Sequence, residues 1–116
     1  DSYYGVAKAY GEALGSYYND YQGLSSFHLR IGWVLETDDP TFSAYSLSLW
    51  LSHRDTAQII DLCIDAPESQ SYDIFNATSD NTWKIFDIEH AKNALGYKPQ
   101  DRAGSEFTPR SYERTT

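Results

Sequence analysis

The first apolar positions fall at helical spacing. Val6, Tyr10, Ala13, Leu14, Tyr17 and Tyr21 make one stripe, which predicts a helix over 4–22 that Gly23 stops. The period then changes to two. Phe27, Leu29 and Ile31 alternate with His28 and Arg30, which predicts a strand over 26–34 with one apolar and one polar face. The polar stretch from Glu36 to Ser46, with Asp38-Asp39-Pro40 at its turn, reads as a loop. Ser52-His53-Arg54-Asp55 resembles a capping box with Asp in the acidic place, and the helix it opens runs to about Ala66, before Pro67. Tyr72 to Ala77 reads as a short strand and Thr78 to Thr82 as a loop. A last helix, capped by Asp87, is expected through Leu95, closed by Gly96 with Pro99 beyond. From Arg102 onward the chain is polar and aperiodic, and is expected to be mobile or draped.

Helix, strand, loop, helix, strand, helix is the order of α/β packing on a parallel sheet. Two strands do not make a stable sheet by themselves, so the pattern reads as the end of a larger α/β fold. The 116 residues contain no Met and begin at Asp1, which adds to the expectation of a piece of a longer protein. Residues 1–101 form the folded part in this reading and 102–116 a polar tail.

Charge and composition narrow the function classes. A net charge of −8 argues against a nucleic-acid groove or an anionic membrane surface, and no run of eighteen apolar residues offers a membrane span. Asp outnumbers Glu eleven to six and Lys occurs four times, a balance that fits a halophilic surface or an ordinary acidic cytoplasmic protein. The single Cys63 excludes an intrachain disulfide. Its place in the apolar run Ile59–Ile64 reads as a buried structural thiol in a reducing, cytoplasmic setting. His28, His53 and His90 lack metal-ligand spacing, so no metal site is expected.

Candidate chemistry lies in Tyr4-Gly5-Val6-Ala7-Lys8. A spacing of four on a helix puts Tyr4 and Lys8 on one side, one turn apart and away from the larger apolar residues. A free phenol is a poor base at neutral pH, and a nearby ammonium favours its phenolate by Coulomb attraction. Such a pair can take the proton of a sugar hydroxyl while a hydride leaves to a nicotinamide. Tyr-x-x-x-Lys by itself also describes a chance pair on a solvated helix face. His53 and Arg54 at a helix start could touch a phosphate or carboxylate, or simply anchor a turn. Trp50 and Trp83 are expected in the core, while Trp33, at a strand end, could stack on a sugar face or pack.

Tyr4 to Lys8, Gly11-Glu12, Leu29-Arg30-Ile31-Gly32, Ser52 to Asp55 and Leu95 to Pro99 occur in one order, and together they resemble the C-terminal part of the extended short-chain dehydrogenase/reductase (NAD-dependent epimerase/dehydratase) family. Leu29 to Trp33, Leu49 to Asp55 and Gly96 to Pro99 are most similar to the branch of uronate dehydrogenases and halophilic NAD-dependent glucose-6-phosphate dehydrogenases. The resemblance implies the C-terminal part of a Rossmann-like NAD(P)-binding fold without its N-terminal dinucleotide-binding strands. It also implies NAD as cofactor and a sugar or sugar phosphate as substrate. Tyr4 matches the catalytic base, and Lys8 matches the lysine that assists it and binds the nicotinamide ribose. Ile31 and Trp33 match the strand end beside nicotinamide and substrate, and the segment from Glu36 to Ser48 matches a substrate-facing loop.

The sequence departs from that pattern in places. It has no Gly-rich phosphate turn and no upstream catalytic Ser or Thr, so the chain alone is expected to be inactive. Trp33 stands where the uronate enzymes have Ser, and Tyr45 or its neighbours where they have a substrate-gripping Arg. A nucleotide-sugar 4-epimerase is the second enzyme reading. A non-catalytic module that self-associates is the third, and the expected partners include a homo-oligomer or the missing N-terminal half.

Overall fold

The computed structural model describes residues 2–104; Asp1 and 105–116 lie outside the description, and with them most of the expected tail. Elements follow in the order α1 (Tyr3–Gln22), β1 (Ser26–Ile31), α2 (Ala44–Leu49), α3 (His53–Ile64), β2 (Tyr72–Ala77) and α4 (Glu89–Leu95).

Local chemistry sets the ends of these elements. Ser2 caps α1 by accepting the Gly5 amide at 3.1 Å, and Gly23 closes it in the left-handed region at φ 66°. Ser52 caps α3 through the Asp55 amide. Asp87 accepts the Glu89 amide from one position before the N-cap residue Ile88 of α4, so its capping role is shifted by a residue. The helix α2 is an addition to the sequence reading. Ser43 and Ser46 form a reciprocal capping box in which serine replaces the usual Glu or Gln.

β1 and β2 pair in parallel, Ser26 opposite Tyr72 through Ile31 opposite Ala77. Beyond the strand, Trp33 bridges Trp50, with the Trp33 amide on the Leu49 carbonyl at 2.7 Å and its carbonyl on the Leu51 amide at 2.8 Å. Gly32 permits this crossing, because a Cβ there would collide with the Leu49 carbonyl oxygen.

Strand alternation sends Phe27, Leu29, Phe75 and Ala77 to one face. There they join Leu51, Ile59, Ile88, Ala91 and Tyr97 in the main core beneath α3 and α4. Leu47, Trp50 and Ala103 form a second small core, so the first residues of the supposed tail are anchored. The opposite face of the sheet carries α1. None of the helix's residues is buried, and the stripe Val6, Tyr10, Leu14, Tyr17 and Tyr21 is exposed. The helix meets the sheet along its polar side instead. Glu12 takes Arg30 in a two-pronged ion pair (both contacts 2.9 Å), the Glu12 carbonyl accepts the Tyr72 hydroxyl, and Asn19 donates to the Ser71 carbonyl. Trp83, expected in the core, is 65% exposed, carried on a turn in the connection between β2 and α4. No helix among the described residues is long and apolar enough to cross a membrane.

Candidate functional site

The approach of α1 to β1 builds the site. The helix runs antiparallel to the strand, with Gly15 over Ser26 and His28, and Glu12 over Arg30. A Cβ on Gly15 would collide with the His28 ring, which is itself held by a 2.7 Å bond to the Ser26 hydroxyl and lies against Tyr72. Two turns further toward its N-terminus, the same side of α1 carries Tyr4 and Lys8 to the C-terminal end of β1.

A groove of about 640 Å³ lies there, lined by Tyr4, Lys8, Gly11, Glu12, Ile31 and Phe86 among others. Tyr4 is 73% exposed, and the Lys8 ammonium sits 5.3 Å from the centre of its ring. The phenol and the ammonium thus share one solvent-open surface. The Glu12 carboxyl at the groove's other end is held below its usual range, chiefly by its hydrogen bonds to Arg30.

The other candidates are placed differently. Ile31 lines the groove with Tyr4 and Lys8. Trp33 stands two residues further along, 41% exposed, with its ring 6.4 Å from that of Tyr45. Ser48 donates its hydroxyl to the Ala44 carbonyl within its own helix. His53 and Arg54 are engaged inside the molecule: the His53 ring meets the Leu35 carbonyl, and Arg54 grips Asp101 with two 2.7 Å contacts. Cys63 is half-buried, and burial raises its thiol above the usual range. Tyr97 offers no second base. It is buried, its hydroxyl donates to the Thr78 carbonyl, and desolvation with nearby carboxylates drives its acidity far down.

Two contributors escaped the sequence reading. Phe86 reaches the groove from an aperiodic loop, and no sequence signal marks it. Asp55, read as a capping acid, is fully buried and accepts the Ser79 hydroxyl at 2.6 Å and the Gln100 amide at 2.7 Å, tying α3 to the end of β2 and to the segment after α4. A buried carboxylate surrounded by donors is stable only when they are all supplied.

No family model matches the chain. It is 40% identical over 105 residues to the NAD-dependent glucose-6-phosphate dehydrogenase of Haloferax volcanii, covering 90% of this chain and 39% of that protein. It is 35% identical to the L-arabinose 1-dehydrogenase (NAD(P)(+)) of the same organism, covering 90% and 44%. The crystal structure of uronate dehydrogenase from Agrobacterium tumefaciens superposes with a TM-score of 0.79 at 33% identity, over 89% of this chain and 37% of that one. The chain thus spans well under half the length of these proteins, as a partial Rossmann-like fold. It is a homologue of NAD-dependent sugar dehydrogenases over their C-terminal part.

Proposed function

We propose that the protein carrying this chain is an NAD-dependent sugar oxidoreductase of the extended short-chain dehydrogenase type, in which this segment supplies the base and part of the substrate surface. The observation that carries the reading is the side-by-side placement of Tyr4 and Lys8 in an open groove at the C-terminal end of β1. Substrates of open α/β sheets bind at the carboxyl ends of the strands.

In this reading the Tyr4 oxygen takes the proton of the sugar's anomeric hydroxyl, and the Lys8 ammonium stabilises the charge on the phenolate. The C1–H electron pair leaves as hydride, the C1–O bond becomes a carbonyl, and a lactone results. NAD, when bound, supplies the hydride acceptor. Lys8 and Ile31 would hold its nicotinamide–ribose end: the ammonium offers donors to ribose hydroxyls and Ile31 an apolar wall. The phosphate-binding turn must come from outside these residues, and the 116 residues alone are expected to be inactive. The exposed tyrosine stripe of α1 supports the expectation of association through that face.

The test is Tyr4→Phe in the full-length protein, followed by NADH absorbance with aldoses and aldose phosphates. A fall in kcat of about 10²–10⁴-fold is expected for loss of a general base. Unchanged turnover would remove Tyr4 from the chemistry. Interconversion of nucleotide sugars without NADH accumulation would replace the dehydrogenase by an epimerase.

A further inference from the structure

We infer that Arg30 is a positioning residue for Lys8: by occupying the Glu12 carboxylate, it keeps that carboxylate from drawing the ammonium away from Tyr4. This role rests on the oxidoreductase reading above and adds to it a residue that acts on the base through its neighbours.

The spacing along α1 sets up a competition. Tyr4, Lys8 and Glu12 follow one another at intervals of four, so all three lie on one side of the helix, and all three line the groove. Lys8 therefore stands between a phenol one turn before it and a carboxylate one turn after it. A lysine and a glutamate four apart on a helix attract each other. The lysine stem is flexible, and its compact ammonium can turn either way. Left to these local rules the ammonium goes to the carboxylate, because a full negative charge outweighs the face of a neutral ring. That choice would strip the phenol of the cation that favours its phenolate.

The structure shows the other choice. The Lys8 ammonium lies 5.3 Å from the centre of the Tyr4 ring, and no carboxylate among the described residues comes within 4.0 Å of it. The Glu12 carboxylate is turned to the strand instead. Arg30, on the polar face of β1, meets both of its oxygens, Nε on Oε2 and Nη2 on Oε1, each at 2.9 Å. A guanidinium fork matched to a carboxylate in this way is stronger and more directional than the contact a lysine makes. Glu12 is also the less exposed partner, so water competes less for its oxygens. Hydrogen bonding to Arg30, before any other cause, holds the Glu12 carboxyl below its usual range. It stays ionised wherever a phenol titrates, so removing Arg30 uncovers a lasting negative charge one turn from Lys8.

Among the described residues, no other group along the groove can take this part. His28, on the same face of β1, is bound to the Ser26 hydroxyl under Gly15, and Phe86 brings an uncharged ring. The Tyr72 hydroxyl, from β2, donates to the Glu12 backbone carbonyl and leaves its carboxylate to Arg30.

The experiment is the pH dependence of kcat/KM for NADH formation by the full-length protein. The substrate is the sugar it oxidises fastest among common aldoses, uronates and aldose phosphates, with L-arabinose, D-glucuronate and D-glucose 6-phosphate included. Arg30→Gln is expected to move the acid limb to higher pH by about half a unit or more, and to lower kcat/KM at pH 7 about three- to tenfold, because the freed carboxylate recruits Lys8. Glu12→Gln/Arg30→Gln removes the competitor together with its clamp, and should return the limb to its original position whatever the absolute rate. A residue that merely held α1 over the sheet would lower the rate in both variants without moving the limb and without rescue. The displacement should persist when His28→Asn accompanies Arg30→Gln; its disappearance would hand the limb to His28 and overturn the inference. Arg30→Met, which keeps the apolar length of the stem, replaces Arg30→Gln if that variant does not fold, with the same expectations. An unmoved limb in the single variant, or a displaced limb in the double one, overturns the role of Arg30 and leaves the dehydrogenase reading intact. If no sugar of any class yields NADH, that reading itself fails and the inference falls with it.

Discussion

The two faces of the sheet are built on opposite plans. Under α3 and α4, Phe75, Ala77, Leu51, Ile59, Ile88 and Tyr97 interlock with almost no exposure, and Asp55 joins the polar ends of that layer. On the other face α1 turns its polar and glycine side to the strands and its tyrosines to the solvent. The first face behaves as a core, held by removal of apolar surface from water. The second is a jig, in which an ion pair, side-chain hydrogen bonds and a close glycine contact set the height of a helix over a strand. The difference teaches that the residues proposed for chemistry sit on the part positioned by directional contacts, while most of the stability resides in the opposite face.

The strongest way to break this contrast is to hollow the core face. Phe75→Ala removes a fully buried ring and should cost about 3–5 kcal/mol, seen as a fall in the urea midpoint of unfolding. A loss smaller than a Leu-to-Val change would show that the stability lies elsewhere. Next comes the helix approach. Gly15→Ala places a methyl against the His28 ring and the Ser26 hydroxyl, and lifting α1 should cost about 1–3 kcal/mol as overpacking does, despite the better helix propensity of alanine. NADH formation should fall more steeply than stability, because Tyr4 and Lys8 ride on the same helix. Equal turnover in the variant would mean that helix height does not set the geometry of the groove.

The smallest effect is electrostatic and depends on pH. The Glu12 carboxyl is held below its usual range by Arg30, and those of Asp101 and Asp80 by Arg54 and Lys84. The folded state therefore binds their protons less readily than the unfolded chain. Their contribution is complete above the usual carboxylate range and disappears as pH falls through the lowered folded-state values. Exposure keeps each pair modest. Arg30→Gln should accordingly lower the urea midpoint slightly at pH 7, and by progressively less as pH falls through the lowered range of the Glu12 carboxyl. A deficit that does not change with pH would assign the effect to packing of the arginine stem.

Much of this architecture could be read from the chain. The 3.6 and 2.0 periods located α1, β1 and β2, and Ser52, Gly23 and Gly96 marked helix ends, because these signals are local. The β1 alternation also assigned Phe27 and Leu29 to one face and Arg30 to the other. The helix α2 escaped because its capping box uses Ser46 where the familiar pattern has an acid or amide. The tyrosine stripe of α1 was legible as a stripe, but periodicity tells which residues share a face and not what covers it. Tyr4 and Lys8 were paired by spacing alone, whereas the arrival of Phe86 and the embedding of Asp55 depend on contacts across many residues that no local pattern encodes.

Asp38 has a further consequence. It is the one non-glycine residue with positive φ among the described residues, at 57°, and its carboxylate clasps both the first amide of α3 and the indole of Trp50. The segment leading to Tyr45 is therefore set in shape as the chain folds. Whatever docks on a segment pinned in this way meets a finished wall and does not have to freeze a wandering one, so little binding free energy is diverted into ordering protein.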